Sequence, residues 1–284
     1  MLAILLFACS GDLSNRIFRE DAAFAEALPD GDQLALDLPA EVDEVGDEAA
    51  ELYALTVATL AGGQQVLDGV TDLTDEVLAT PPTERGDDYR VWGPVPSDDD
   101  PDLFLRVEMS RSSTGSTYTY ALQVAETSAG PWWELLSGTH LAGSEDVALG
   151  TGSIELVDLA SGDRIQVEYD LRALRTVSME RVDGDDAGLG WTWTERADGG
   201  GGLSYAQPAD TFGSLSTVGA TDLQVDSAWL PDGAGRGVAR LSGGAYAGSD
   251  VELVQCWDRA GTVTWSWDSA GYTETVGDES ACSL

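Results

Sequence analysis

Hydrophobic positions recur every three or four residues before residue 82 and every second residue after residue 89. In the first regime, Arg16 to Leu28 carries Ile17, Phe18, Phe24 and Leu28 and predicts a helix ended by Pro29-Asp30-Gly31. Leu34-Ala-Leu-Asp-Leu38 alternates briefly and predicts an extended piece. Asp47 to Ala79 places Leu52, Leu55, Val66, Val70, Leu73 and Val77 on one helical face. Gly62-Gly63 interrupts that face and predicts a kink or two helices, and Pro81-Pro82 ends it.

In the second regime, Leu103, Leu105, Val107 and Met109 alternate with polar neighbours. After a Thr114-Gly115 turn, Tyr118, Tyr120, Leu122 and Val124 do the same. This predicts a long hairpin with one buried face. Further strands are expected at 132–136, 154–158, 164–171, 176–182, 190–195, 223–230, 237–241, 251–257 and 262–268. The fold class that follows is mainly β: an antiparallel meander (barrel, half-barrel or sandwich) over about 89–284, behind a helical N-terminal segment over about 9–82. Leu136-Ser-Gly matches Leu241-Ser-Gly, Leu122-Gln-Val124 matches Leu223-Gln-Val225, and Ile154-Glu-Leu-Val157 matches Val251-Glu-Leu-Val254. These matches predict an internal duplication over about 103–172 and 203–270.

Charge narrows the partners. The chain has 51 Asp plus Glu against 14 basic residues, all of them Arg, for a net −37. Such a surface repels nucleic acid and anionic lipid. It suits either a saline, screening habitat or a genome whose codons favour Arg and Asp.

The segment Leu6-Phe7-Ala8-Cys9 resembles the lipobox of bacterial lipoprotein precursors, with a small residue before the cysteine. The resemblance implies a signal peptide over 1–8, lipidation of Cys9, and a membrane attachment through the lipid, with the basic start of that peptide lying upstream. With Ser10 next, it implies the outer membrane. Taking Cys9 for lipid leaves an even pair, Cys256 and Cys282, expected to close a disulfide in an oxidising compartment. The order of helices before a meander is also similar to the LolA/LppX class of bacterial lipid-carrier folds, which implies an apolar ligand under a helical lid.

Candidate chemistry is sparse. The single histidine, His140, is the one base available to a Ser-His-Asp triad, and no Gly-x-Ser-x-Gly elbow accompanies it. One His leaves too few soft ligands for zinc. Glu108, Glu155 and Glu168 sit at polar strand positions and read as solvated carboxylates rather than a glycosidase pair. Asp183, Asp185 and Asp186, with Gly188, partly match a calcium loop, but Ala187 and Thr194 break it; Asp98 to Asp102 is a second acidic cluster. Trp191 and Trp193, and likewise Trp265 and Trp267, share strand faces that would fill a core or line an apolar cavity. The expected role is non-enzymatic: an envelope protein for binding or structure, with an apolar-ligand carrier second and a hydrolase third.

Overall fold

The computed structural model describes residues 12–37, 49–98, 100–157, 161–184, 187–208, 222–246, 248–271, 275–282 and 284. Cys9, Asp99, Asp185 and Asp186 lie outside them. The described residues form three α-helices, α1 (Asp12–Ala25), α2 (Gly31–Leu34) and α3 (Glu51–Leu78). Among the described residues, fifteen strands follow. The first eight are β1 (Glu84–Arg85), β2 (Tyr89–Pro96), β3 (Phe104–Arg111), β4 (Thr117–Ala125), β5 (Trp133–Leu141), β6 (Thr151–Val157), β7 (Arg164–Asp170) and β8 (Thr176–Arg181). The remainder are β9 (Gly190–Glu195), β10 (Gly201–Pro208), β11 (Asp222–Trp229), β12 (Gly235–Ser242), β13 (Val251–Trp257), β14 (Val263–Asp268) and β15 (Val276–Gly277). They make one antiparallel sheet in strict sequence order that does not close on itself. A single open meander replaces the barrel and sandwich alternatives.

One face of this sheet is apolar. Leu105, Val107 and Met109 point into it from β3, and Tyr118, Tyr120, Leu122 and Val124 from β4, all buried. The meander bends across α3, which touches β2 and β3 near one end of the sheet and β11, β12 and β13 near the other. The core lies between them. The helix runs unbroken through Gly62-Gly63, so the alternative of two helices does not hold. Its buried stripe is Leu52, Tyr53, Thr56, Leu60, Gly63, Leu67, Val70, Thr71, Thr74 and Val77. Leu55, Val66 and Leu73 only flank that stripe. The buried threonines satisfy their hydroxyls on the preceding turn: Thr56 donates to Leu52 O, Thr71 to Leu67 O and Thr74 to Val70 O.

Two further corrections are local. Leu34 ends a helical turn instead of starting an extended piece, because Asp30 and Gln33 form a reciprocal capping box. The Leu136-Ser-Gly-Thr-His-Leu141 segment lies within β5, whereas Leu241-Ser242 ends β12. Leu122 pairs with Leu136 and Leu223 with Leu241, so the matched leucines meet across a hairpin in both halves.

Helix α1 is held by charge and by one aromatic ring. Phe24 lies between the guanidinium groups of Arg90 and Arg111, at 4.8 and 4.9 Å, and meets Tyr118 edge-on at 5.4 Å. Asp21 accepts from Arg90 at 2.6 Å and from Arg85 at 2.9 Å. Arg90 is 2 % exposed, so Asp21 is the counter-charge that makes its burial tolerable.

The aspartates have a structural use at the turns. Eight of them, Asp100, Asp146, Asp170, Asp198, Asp232, Asp258, Asp268 and Asp278, accept from the backbone N–H two residues on. Each is an Asx turn closing a loop or strand end. The Cys256–Cys282 disulfide forms as expected, with the two Cα atoms 5.5 Å apart, and pins the C-terminal segment onto β13.

Candidate functional site

The two sheet faces offer different chemistry. Beside α3, on the apolar face, lies a cleft of about 350 Å³ between the middle of the helix and β7–β10. Ala58, Thr59 and Gly62 leave the helix side low, and Ile165, Met179, Trp191 and Tyr205 form the sheet side. Gly63 is what lets Trp191 approach: a Cβ there would fall on the indole ring. Tyr205 is 5 % exposed, its hydroxyl has no partner at hydrogen-bonding distance and angle, and burial pushes its pKa up against a weaker opposing pull from the nearby Thr59 hydroxyl. The cleft has no Asp or Glu in its lining and has Arg181 at its edge. In a chain with 51 acids that is a selective absence, since the other clefts described below are all lined by carboxylates.

The opposite face is polar and open. Cross-strand partners share a face, so the register draws a row across it: Ser110, Thr119, Thr139 and Ser153 on β3 to β6. The row continues through Glu168, Ser178, Thr192, Ser204 and Asp226 on β7 to β11. Neighbouring hydroxyls bond in places, Ser110 with Thr119 at 2.6 Å and Thr139 with Ser153 at 3.2 Å. A trough of about 820 Å³ follows this row over β1–β7, and two smaller hollows of about 460 and 450 Å³ extend it. Thr139 and Ser153 belong to the first two hollows, and Glu168 and Ser178 to the last two, so the depression is continuous.

The residues singled out from sequence fall as follows. His140 is fully buried, with Nε2 at 2.7 Å from Val147 O and Nδ1 at 3.1 Å from the Tyr169 hydroxyl. A carbonyl only accepts, so Nε2 carries the proton and Nδ1 accepts from Tyr169. Burial lowers the His140 pKa, opposed by the Val147 carbonyl, and burial pushes Tyr169 up to about 12. Both ring nitrogens are thereby committed, and the ring sits over Gly150, where a Cβ would lie 2.6 Å from Cε1. Such a histidine is a core group and has no free nitrogen for a nucleophile.

Glu108, Glu155 and Glu168 all lie on the polar face. Arg106 bonds Glu108 at 2.6 Å, Arg164 reaches Glu155 at 3.6 Å, and Gln166 donates to Glu168. Asp183 accepts from Arg164 Nε at 2.8 Å, and its second oxygen is buried without a partner. Among the described residues no three His, Cys, Asp or Glu side chains gather as a metal site; the rest of the calcium candidate lies outside them.

The tryptophans divide between the faces. Trp193 is buried in the main core and Trp191 lines the cleft beside α3. Trp265 pairs with Cys256 and Trp267 with Val254, on the polar side of the sheet. There Trp265 joins a small apolar cluster with Val254, Cys256, Val238 and Cys282. The four therefore line no common cavity. Sequence reading missed Tyr205, whose strand β10 opens on Gly201-Gly202 and leaves only Leu203 and Tyr205 to mark its buried face; Thr59 on α3 and Met179 and Arg181 on the expected strand β8 gave no signal of a cleft.

Comparison with protein-family models, with curated proteins and with solved structures finds no match to the chain. Among the described residues no helix is long and apolar enough to cross a membrane.

Proposed function

We propose that this chain is an exported, lipid-anchored bacterial envelope protein, held by Cys9 at the outer membrane, with a non-enzymatic binding role. Its ligand is an amphiphile whose apolar part lies in the cleft beside α3. The observation that carries this reading is the lining of that cleft: apolar, free of carboxylates in an acidic chain, with the buried Tyr205 hydroxyl lacking a partner. An unpaired buried hydroxyl costs roughly 1–3 kcal/mol, which a ligand head group that bonds it would recover. At about 350 Å³ the cleft falls within the roughly 300–1,000 Å³ of small-molecule sites. The disulfide fits an oxidising compartment, as export requires.

The test is native mass spectrometry of detergent-free protein, followed by titration with oleate read by Trp fluorescence. The expected result is a saturable oleate adduct that Thr59→Trp, which fills the cleft, removes. Absence of any adduct in the unaltered protein would dispose of the amphiphile. For the anchor, a mature N-terminus found as unmodified Met1 would overturn lipidation at Cys9.

A further inference from the structure

We infer that the polar face of the sheet is a second binding site, for a neutral polyhydroxylated chain such as an oligosaccharide laid across the strands. Three observations select that chemistry. The hydroxyl row spans nine strands, β3 to β11, in one register, and its two acidic members are Glu168 and Asp226. Side chains of this kind both donate and accept, which is what a ligand made of hydroxyl groups needs at every step along its length. The depression above the row is continuous and long, so it fits a chain better than a single small molecule.

Charge then removes the other polymers. Nucleic acids and anionic glycans are repelled by a −37 protein whose trough carries Glu84, Glu108, Glu134 and Glu155. A cationic peptide is disfavoured because Glu108 and Glu155 already face Arg106 and Arg164. Beyond β1, the two-residue edge strand where it begins, the trough runs over strands bonded on both sides, which offer no edge for a peptide strand to join. One indole borders this face: the Trp132 ring stacks on the guanidinium of Arg106, which shares a strand face with Glu108 and Ser110, at 4.6 Å. An indole so placed presents an apolar face of the kind on which the C–H faces of sugar rings pack.

The experiment is isothermal titration calorimetry of the folded, disulfide-intact protein with cellohexaose, laminarihexaose and chitohexaose. Dextran sulfate and an oligo-arginine peptide serve as charged comparators. At least one neutral oligosaccharide is expected to bind, with an affinity unchanged between 0.05 and about 0.5 M NaCl, as an uncharged contact requires. The triple variant Thr139→Ala, Ser153→Ala, Ser178→Ala trims three open-face hydroxyls and should weaken that binding by about tenfold or more, without lowering the unfolding midpoint. Failure of all three sugars to bind overturns the inference. So does binding that the triple variant leaves intact, or binding confined to oligo-arginine and lost in salt. Thr59→Trp fills the other face of the sheet, against β7–β10, and should leave binding in the main trough over β1–β7 unchanged, because that trough shares no lining residue with the amphiphile cleft.

Discussion

Adjacent glycines in α3 should respond unequally to alanine, Gly62 with a gain in stability and Gly63 with none or a loss. Gly62 is exposed, and a Cβ built on it meets nothing within 4 Å. Gly62→Ala therefore gains helix propensity and loses unfolded-state freedom, a stabilisation of about 0.5–1 kcal/mol. Gly63 is buried one residue later, and its Cβ would stand 2.9 Å from Trp191 Cε2 and closer still to Cζ2. The same propensity gain of about 1 kcal/mol is then set against an overpacking cost of about 1–3 kcal/mol. Trp191 lines a cleft and has room to swing, which holds the cost toward the lower part of that range.

The gap between the two variants should be about 1–3 kcal/mol, readable as several degrees in Tm or as separated urea midpoints at equal slope. Trp fluorescence gives a second signature, since Gly63→Ala must displace the Trp191 ring into the cleft and Gly62→Ala must not. Equal stabilisation by both substitutions would refute the packing of Trp191 on α3, and with it the shape of the cleft.

Two other perturbations probe single groups. His140 is the chain's only histidine, and its neutral form is favoured by burial in the folded state. A lowered folded pKa means that stability is kept above the unfolded value of about 6.5 and is lost as pH falls below it. Urea midpoints measured from pH 7.5 to 5.5 should therefore drop with acid, and a flat profile would contradict the buried neutral ring. Asp21→Ala leaves the 2 % exposed Arg90 without its nearest counter-charge, and should cost about 3–5 kcal/mol in urea unfolding while exposing the amides of α1 to hydrogen exchange. A loss under about 1 kcal/mol would mean that the carbonyls of Gly86 and Tyr89, which Arg90 also bonds, suffice to hold the cation.

The hairpin of β3 and β4 was legible because its sheet face is buried on one side and wet on the other, so polarity alternates with the pleat. The buried face of α3 was only partly legible. Thr56, Thr71 and Thr74 enter the core by returning their hydroxyls to backbone carbonyls, and Gly63 enters it to admit an indole, so four core positions carry no hydrophobic signal. The opposite facing of Trp193 and Trp265 was not legible at all. Parity holds along one strand, but each loop resets it, and a bulge at Cys256/Trp257 shifts the register once more. His140 was readable in principle, since it lies four residues from the buried Leu136 on the same strand. The expected strand stopped at Leu136, short of Ser137-Gly138; that glycine makes room for Tyr120.

The acidity of the chain also bears on its turns. Asx turns explain why an acceptor side chain stands at eight loop positions, yet Asn would accept the same N–H without charge, and the chain holds a single Asn, Asn15, against 32 Asp. Geometry therefore accounts for the acceptor and not for the charge. Asp146, Asp232 and Asp258 are exposed and accept at 2.9–3.2 Å. Replacing all three by Asn keeps each turn and takes the net charge from −37 to −34. Two like charges about 10 Å apart in water repel by about 0.4 kcal/mol, so each removal relieves a small sum of such pairs. The urea midpoint of the triple variant should exceed that of the parent near 0.01 M salt, where the Debye length is about 30 Å, and approach it near 1 M, where it is about 3 Å. The parent's own midpoint should rise with salt over the same range. A triple variant less stable than the parent at every salt concentration would show that the carboxylate charge itself holds the turns, and the acidity would then be structural rather than a repulsion the fold tolerates.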